Sequence, residues 1–165
     1  MLSEKMIKAI NGQINREICS AYLYLGMGSY ASSKGLNGIA NWFSVQVQEE
    51  LSHAQKMYDY VVQEGGRVML LDIESPPQEY SSAKELFEKT LAHEKAVTGL
   101  INELVDVAKE EKDSNTESFL KWFVTEQIEE ETTPANILKS MELNDSGVSA
   151  VNSKLTKRVY NPPRG

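Results

Sequence analysis

The stretch GRVMLLDIESPPQEYS, residues 66–81, decides the topology of this chain. It separates two long helical patterns and carries Pro76 and Pro77, so it reads as extended chain. About 16 extended residues reach roughly 53–58 Å. The helices on either side are about 28–31 residues each, or roughly 42–46 Å. The segment is therefore long enough to run the full length of a bundle, which leaves its two flanking helices parallel.

Outward from this crossover, glycine and proline mark the other breaks. A first helix runs from about Ser3, a good N-cap, to about Ser33, where KGLNG (34–38) stops it. A second runs from about Asn37 to Glu64 and ends at Gly65-Gly66. A third starts at Ser82, with Glu85 completing a capping box, and ends near Lys112. A fourth starts at Ser114, with Glu117 completing another, and runs to about Leu143. A short amphipathic stretch, about 146–159, puts Val148, Val151, Leu155 and Val159 on one side. Short turns make the first two helices antiparallel, and likewise the third and fourth. The expectation is all-α: one domain over 1–165, with a four-helix bundle over about 3–143, one long crossover and a short fifth helix. No repeat suggests a solenoid.

Bulk properties narrow the partners. A net charge of −7 argues against nucleic acid. One cysteine, Cys19, excludes an intramolecular disulfide and fits a reducing compartment. The N-terminal stretch has no apolar signal core, and the longest apolar runs, such as VMLL (68–71), are too short to span a membrane. The expected location is cytoplasmic.

The core stripes, read in steps of three and four, carry an anomaly. The first helix gives Ile7, Ile10, Ile14, Glu17, Ala21, Tyr24 and Gly28; the second gives Ala40, Phe43, Val47, Glu50, Ala54, Met57 and Val61. The third gives Phe87, Thr90, Glu94, Val97, Ile101, Leu104 and Ala108; the fourth gives Leu120, Phe123, Gln127, Glu130, Pro134, Ile137 and Met141. Every stripe is mostly apolar, and every stripe holds one glutamate. At 1.5 Å per residue, Glu17 and Glu50 stand about 18 and 15 residues from their shared turn, and Glu94 and Glu130 about 18 each from theirs. The four acids should converge at mid-height.

Four buried carboxylates need neutralising, and no stripe position is Lys or Arg. Shared protons neutralise some at most; divalent cations serve all four. In QEELSH (48–53), Glu50 and His53 lie at i and i+3 and offer an oxygen and a nitrogen from one helix face. Such a mixed set suits iron or manganese better than a structural zinc site, and the number of ligands fits two metals. Spacing leaves other residues open. Glu49, Glu126 and Glu129 fit a solvated acidic face as well as a site, and Tyr24 fits packing as well as redox chemistry. His93 lies about 100° off its stripe and reads as surface; Cys19 reads as inert packing.

The chain resembles the non-haem ferritins of the bacterial and archaeal type from about Leu2 to about Met141. The resemblance rests on NREI (15–18) with SAYLYL (20–25), QEELSH, His93-Glu94, FLKWFVTEQIEEE (119–131) and the length of the crossover. It implies a ferritin-like bundle with a di-iron ferroxidase centre. One iron position would use Glu17, Glu50 and His53; the second would use Glu50 as bridge, Glu94 and Glu130, with Gln127 close by. A weaker third position would use Glu49, Glu126, Glu129 and Glu130, and Tyr24 would stand beside the centre. The resemblance further implies a hollow homo-oligomer, usually of 24 chains, that oxidises Fe(II) with oxygen or hydrogen peroxide and stores the ferric product. An oxidase that scavenges oxygen or peroxide without storage, and a metal-free structural bundle, are the competing readings. The acidic turn Glu110, Glu111, Asp113 and Glu117 corresponds to the region that lines pores in that family.

Departures set relatives aside. Bacterioferritins carry a second ExxH on the fourth helix and a haem-binding methionine after the second helix's glutamate; here those places hold Gln127-Ile-Glu-Glu130 and Leu51. No haem is expected. Pro134 is expected to bend the fourth helix one turn after its ligands. Lys154, Lys157 and Arg158 make the fifth helix more basic than expected for four-fold contacts, which leaves shell symmetry open.

Overall fold

In the computed structural model, which describes residues 1–143 and 146–162, the helices are α1 (Glu4–Ser33), α2 (Asn37–Gln63), α3 (Ala83–Glu110), α4 (Ser114–Glu142) and α5 (Gly147–Leu155). The expected all-α bundle with one crossover and a short fifth helix is the observed fold. No helix among the described residues is long and apolar enough to cross a membrane.

The ends of the helices follow local chemistry. Ser3 Oγ accepts from Met6 N, and Ser82 Oγ accepts from Glu85 N, each satisfying an otherwise unpaired first-turn donor. Glu85 reaches back to Ser81 N, one residue before the expected partner. The cap of α4 is Asp113, whose carboxylate accepts from both Thr116 N and Thr116 Oγ1. Ser114, the expected cap, is instead the first helical residue. Two acceptor oxygens on Asp113 give it the advantage over one hydroxyl. Three helices close with the paired 6→1 and 5→2 bonds of a Schellman motif: Leu36 to Ala31 with Gly35 to Ser32, Gly66 to Val61 with Gly65 to Val62, and Asp113 to Ala108 with Lys112 to Lys109. The left-handed position is glycine in the first two and Lys112, φ 56°, in the third.

The crossover is laid along α1. Asn11 Nδ2 donates to the Arg67 carbonyl, Asn15 Oδ1 accepts from Leu71 N, and Pro76 packs against Gly26. These contacts climb α1 from its first third to its last. α3 consequently begins beside the beginning of α2, with Trp42 and Phe87 rings 5.0 Å apart. The pair is parallel, as the length of the crossover requires.

α5 docks on the start of α2. Leu36, the N-cap of α2, provides no side-chain bond; Asn152 Oδ1 supplies it from α5, accepting from Gly38 N at 2.9 Å and Ile39 N at 3.0 Å. A Cβ at residue 38 would overlap the Asn152 carbonyl, so this contact requires glycine. Asn41 Nδ2 reciprocates, donating to the carbonyls of Leu155 and Arg158. α5 is shorter than the expected 146–159: Val148, Val151 and Leu155 pack inward, but Val159 lies beyond the helix and is exposed. Of the expected NDSG break and NPPRG end, residues 144–145 and 163–165 lie outside the described residues. α4 continues unbroken through Pro134, which leaves the Glu130 carbonyl without its helical donor.

The core falls into two apolar clusters. One gathers Tyr24, Met27, Trp42, Phe43, Leu86 and Phe87; the other gathers Met6, Ile10, Ile14, Met57, Ile101 and Leu120. The polar layer lies between them.

Candidate metal centre

The stripe glutamates meet in this layer. Glu17 is 2% exposed, Glu50 2%, Glu94 1% and Glu130 6%, and His53 is 3%. Two sets of potential ligand atoms lie within 4.8 Å of one another, Glu17 with Glu50 and His53, and Glu50 with Glu94 and Glu130. Glu50 belongs to both, the arrangement expected of a bridge. His53 Nδ1 stands 3.6 Å from Glu50 Oε2 and 4.0 Å from Glu17 Oε2. Its ring is held edge-on by Trp122 at 5.5 Å and Phe123 at 6.2 Å.

Three of the four acids are oriented by neutral donors. Gln13 Nε2 donates to Glu17 at 2.8 Å, and Gln46 Nε2 donates to Glu130 at 2.9 Å. Glu94 accepts from the Tyr24 hydroxyl and, at 3.3 Å, from Gln127 Nε2. Among the described residues no Lys or Arg forms an ion pair with the four stripe glutamates. The energetics follow. Burial raises the carboxyl of Glu17 above its ordinary value, and burial plus neighbouring carboxylates raise Glu50 and Glu130 well above it. Burial pushes Glu94 up to about 7, and it pushes the His53 imidazole down to about 4. In the metal-free centre the acids are thus biased toward their protonated forms, around an imidazole that is neutral at pH 7. Oxygen donors plus one imidazole nitrogen, without thiolate, make a hard site suited to iron or manganese. A bound cation would replace the shared protons and relieve the repulsion.

The family comparison agrees with this chemistry. Residues 7–144 match the ferritin-like domain family.

The chain belongs to the ferritin-like family.

It is 41% identical over 159 residues to a bacterial non-heme ferritin of Bacteroides fragilis, covering 96% of this chain and all of the relative. It is 42% identical over 141 residues to a probable bacterial non-heme ferritin-like protein of Haemophilus influenzae, covering 86% of each. Two solved structures of Archaeoglobus fulgidus ferritin, one described as an engineered closed form and one as an open pore ferritin, are each 46% identical to it. They superpose with TM-scores of 0.95 and 0.93, over 98% and 96% of this chain and all of theirs.

Other residues of this ferritin-like chain lie around the paired set. Glu126 joins His53 and Glu130 in a third potential ligand set, with its Oε1 3.8 Å from His53 Nε2. Glu49 and Glu129 enter no such set among the described residues. Glu129 is exposed. Glu49 is paired 2.6 Å from Arg158 Nη2; burial nonetheless raises its carboxyl, and Glu129 adds to the rise. Arg158, expected on the fifth helix, lies beyond its end at Leu155 and returns to α2. His93 is not surface. Its Nε2 lies 2.7 Å from Ser20 Oγ and its ring meets Tyr24 edge-on at 5.8 Å, so it buttresses the phenol that orients Glu94. Cys19 is partly buried beside Asn15. Gln13 and Gln46 went unmarked in the sequence: the i,i+4 spacing of Gln13 to Glu17 is a usable signal, but Gln46 reaches Glu130 on another helix, which no local spacing announces.

Proposed function

We propose that this chain is the subunit of an iron-storing ferritin, with a ferroxidase centre formed by Glu17, Glu50, His53, Glu94 and Glu130. One observation carries the reading: four carboxylates and an imidazole are buried at mid-bundle, and among the described residues no Lys or Arg pairs with the four acids. Family membership makes iron the natural substrate. Two Fe²⁺ bind as substrates, one at Glu17, Glu50 and His53 and one at Glu50, Glu94 and Glu130, with Gln127 close by. Their two electrons pass to dioxygen, which takes up two protons as hydrogen peroxide, or to peroxide, which becomes two hydroxides. The carboxylates favour the ferric product by charge, and their displaced protons leave as iron binds. Tyr24, whose hydroxyl is kept a donor by burial and by Glu94, orients Glu94. Glu49, Glu126 and Glu129, together with Glu130, form a looser outer position through which ferric iron leaves. Stopped-flow oxidation at two Fe²⁺ per chain tests the centre; a rate no faster than free Fe²⁺ in the same buffer ends this reading.

The storage half needs a cage. Exposed Tyr22, Leu25, Leu51 and Ile73 share one apolar face, and Met69, Leu70 and Leu71 extend it along the crossover. A second copy of the chain would cover that face, and we propose a hollow homo-oligomer of 24 chains in the cytoplasm. Native mass decides between storage and a free-standing oxidase: a monomer or simple dimer at micromolar concentration would exclude the cage.

A further inference from the structure

Arg158 makes an unusual set of contacts for a side chain three residues past the last helix. Its Nη1 donates to the Trp42 carbonyl at 3.0 Å. Its Nη2 donates to Gln46 Oε1 and Glu49 Oε2, each at 2.6 Å. The guanidinium also lies 4.8 Å from the centre of the Trp42 ring. These partners occupy successive turns of α2, and the backbone is pinned beside them by Asn41. Two consequences follow. Arginine can only donate, so the Gln46 amide must turn its oxygen to Arg158 and its NH₂ to Glu130, which is the orientation observed. Glu49, meanwhile, is held by a fixed cation 2.6 Å away although other acids stand near: Glu129 adds to the rise of its carboxyl, and Glu49 in turn adds to that of Glu126.

We propose that Arg158 is a tethered counter-cation that competes with iron for Glu49, so that the C-terminal segment sets how loosely the outer position holds its metal. This rests on reading Glu49, Glu126 and Glu129 as that outer position. With Arg158 in place, a metal gains Glu49 only by displacing a charge-assisted bond to a partly buried carboxylate, so residence is short and iron moves on. The paired centre keeps its own ligands, and Arg158 touches it only through the Gln46 amide. Arg158 is therefore a positioning residue, acting through Glu49 and Gln46 and not on the reacting atoms.

The sign of one measurement separates competition from mere support. Mn²⁺, with oxidant excluded, is titrated into the intact assembly, and the free ion is counted by electron paramagnetic resonance. The unaltered protein should take two equivalents per chain tightly and a third weakly. Arg158→Gln should tighten the third by about five- to tenfold, the cost of one screened charge-assisted bond, and should change the first two far less, since Arg158 reaches them only through the Gln46 amide. Arg158→Lys, which keeps a point charge but loses the fork, should tighten it less. If Arg158 only held Glu49 in place for the metal, both variants would weaken the third equivalent. A third equivalent that is unchanged or weaker overturns the proposal, and Arg158→Lys alone suffices for this if Arg158→Gln does not fold. Failure of the unaltered protein to take the first two equivalents would instead remove the paired centre on which everything here depends.

Discussion

The two ends of the bundle and its waist obey opposite rules. At the ends, Phe43, Trp42 and Phe87 on one side and Ile10, Met57 and Ile101 on the other are fully buried and apolar, and every ångström of burial favours folding. At the waist, the same burial works against the fold. Burial and then the neighbouring carboxylates push Glu50 and Glu130 toward the protonated form. A chain tolerates such a layer when its ends over-stabilise the bundle. Metal should therefore be irrelevant to the ends and decisive for the waist.

The largest effect belongs to the ends. Phe87 stacks on Phe43 at 5.5 Å and meets Trp42 at 5.0 Å, so Phe87→Ala should cost about 3–5 kcal/mol. Denaturant midpoints with and without Mn²⁺ should fall by the same amount. A loss confined to one form would break the division between ends and waist.

Glu50→Ala should do the reverse. Without metal it relieves repulsion among Glu17, Glu94 and Glu130, so the metal-free midpoint should hold or rise. Fe²⁺ oxidation should slow by about ten- to a hundredfold, as loss of a metal ligand commonly does, and His53→Ala should behave likewise. A large metal-free loss in Glu50→Ala would mean that Glu50 is a structural hydrogen-bonding residue.

A third effect needs no mutation. The waist carboxyls titrate higher in the folded chain than unfolded, where 4.5 is ordinary. Between those values the folded state holds more protons, so their contribution is fully present near pH 4 and is lost as pH rises through the folded value. His53 has the opposite sign, because its folded value of about 4 lies below its ordinary 6.5; it favours folding as pH rises, but only up to that ordinary value. Above pH 6.5 the acids alone remain, with Glu94 near 7. The metal-free protein should lose roughly 1 kcal/mol per pH unit there for each carboxyl still titrating. Melting between pH 6.5 and pH 8 checks this. Mn²⁺ should flatten the slope, and a flat metal-free profile would mean that the waist is already neutralised.

How legible these regions were depends on range. The waist could be read because helical geometry links stripe position to facing and residue count to height, and Glu17, Glu50, Glu94 and Glu130 need nothing else to be brought together. His53 followed from its spacing to Glu50. The crossover was legible because length alone forces its path. What escaped depends on how elements pack. His93 is off its stripe, but α3 lies close enough to α1 for it to find Ser20 and Tyr24. Arg158 meets Glu49 across 109 positions of sequence, and no local pattern announces that a basic tail will fold back. The α4 cap was a contest between neighbours, Asp113 and Ser114, that turned on one extra acceptor atom.

The smallest expected effect tests whether the ends alone govern metal-independent stability. Lys112 occupies the left-handed position of the α3–α4 Schellman motif with φ 56°, where Gly35 and Gly65 serve the other two turns. For a residue with a Cβ this conformation costs about 1–2 kcal/mol. Lys112→Gly removes that cost but gives the unfolded chain more freedom, worth about 0.4–1 kcal/mol in the opposite direction. Strain relief is the larger of the two, so a net gain of about 0.5–1 kcal/mol is expected. For a chain of this size that is roughly 1–4 °C in melting midpoint. Lys112 forms no ion pair among the described residues, so no lost contact offsets the gain. Because the turn lies at an end of the bundle, the shift should be equal with and without Mn²⁺, and Fe²⁺ oxidation should not change. A fall in the midpoint would show that Lys112 contributes something beyond its backbone, and a shift seen only with metal would mean that the turn communicates with the waist.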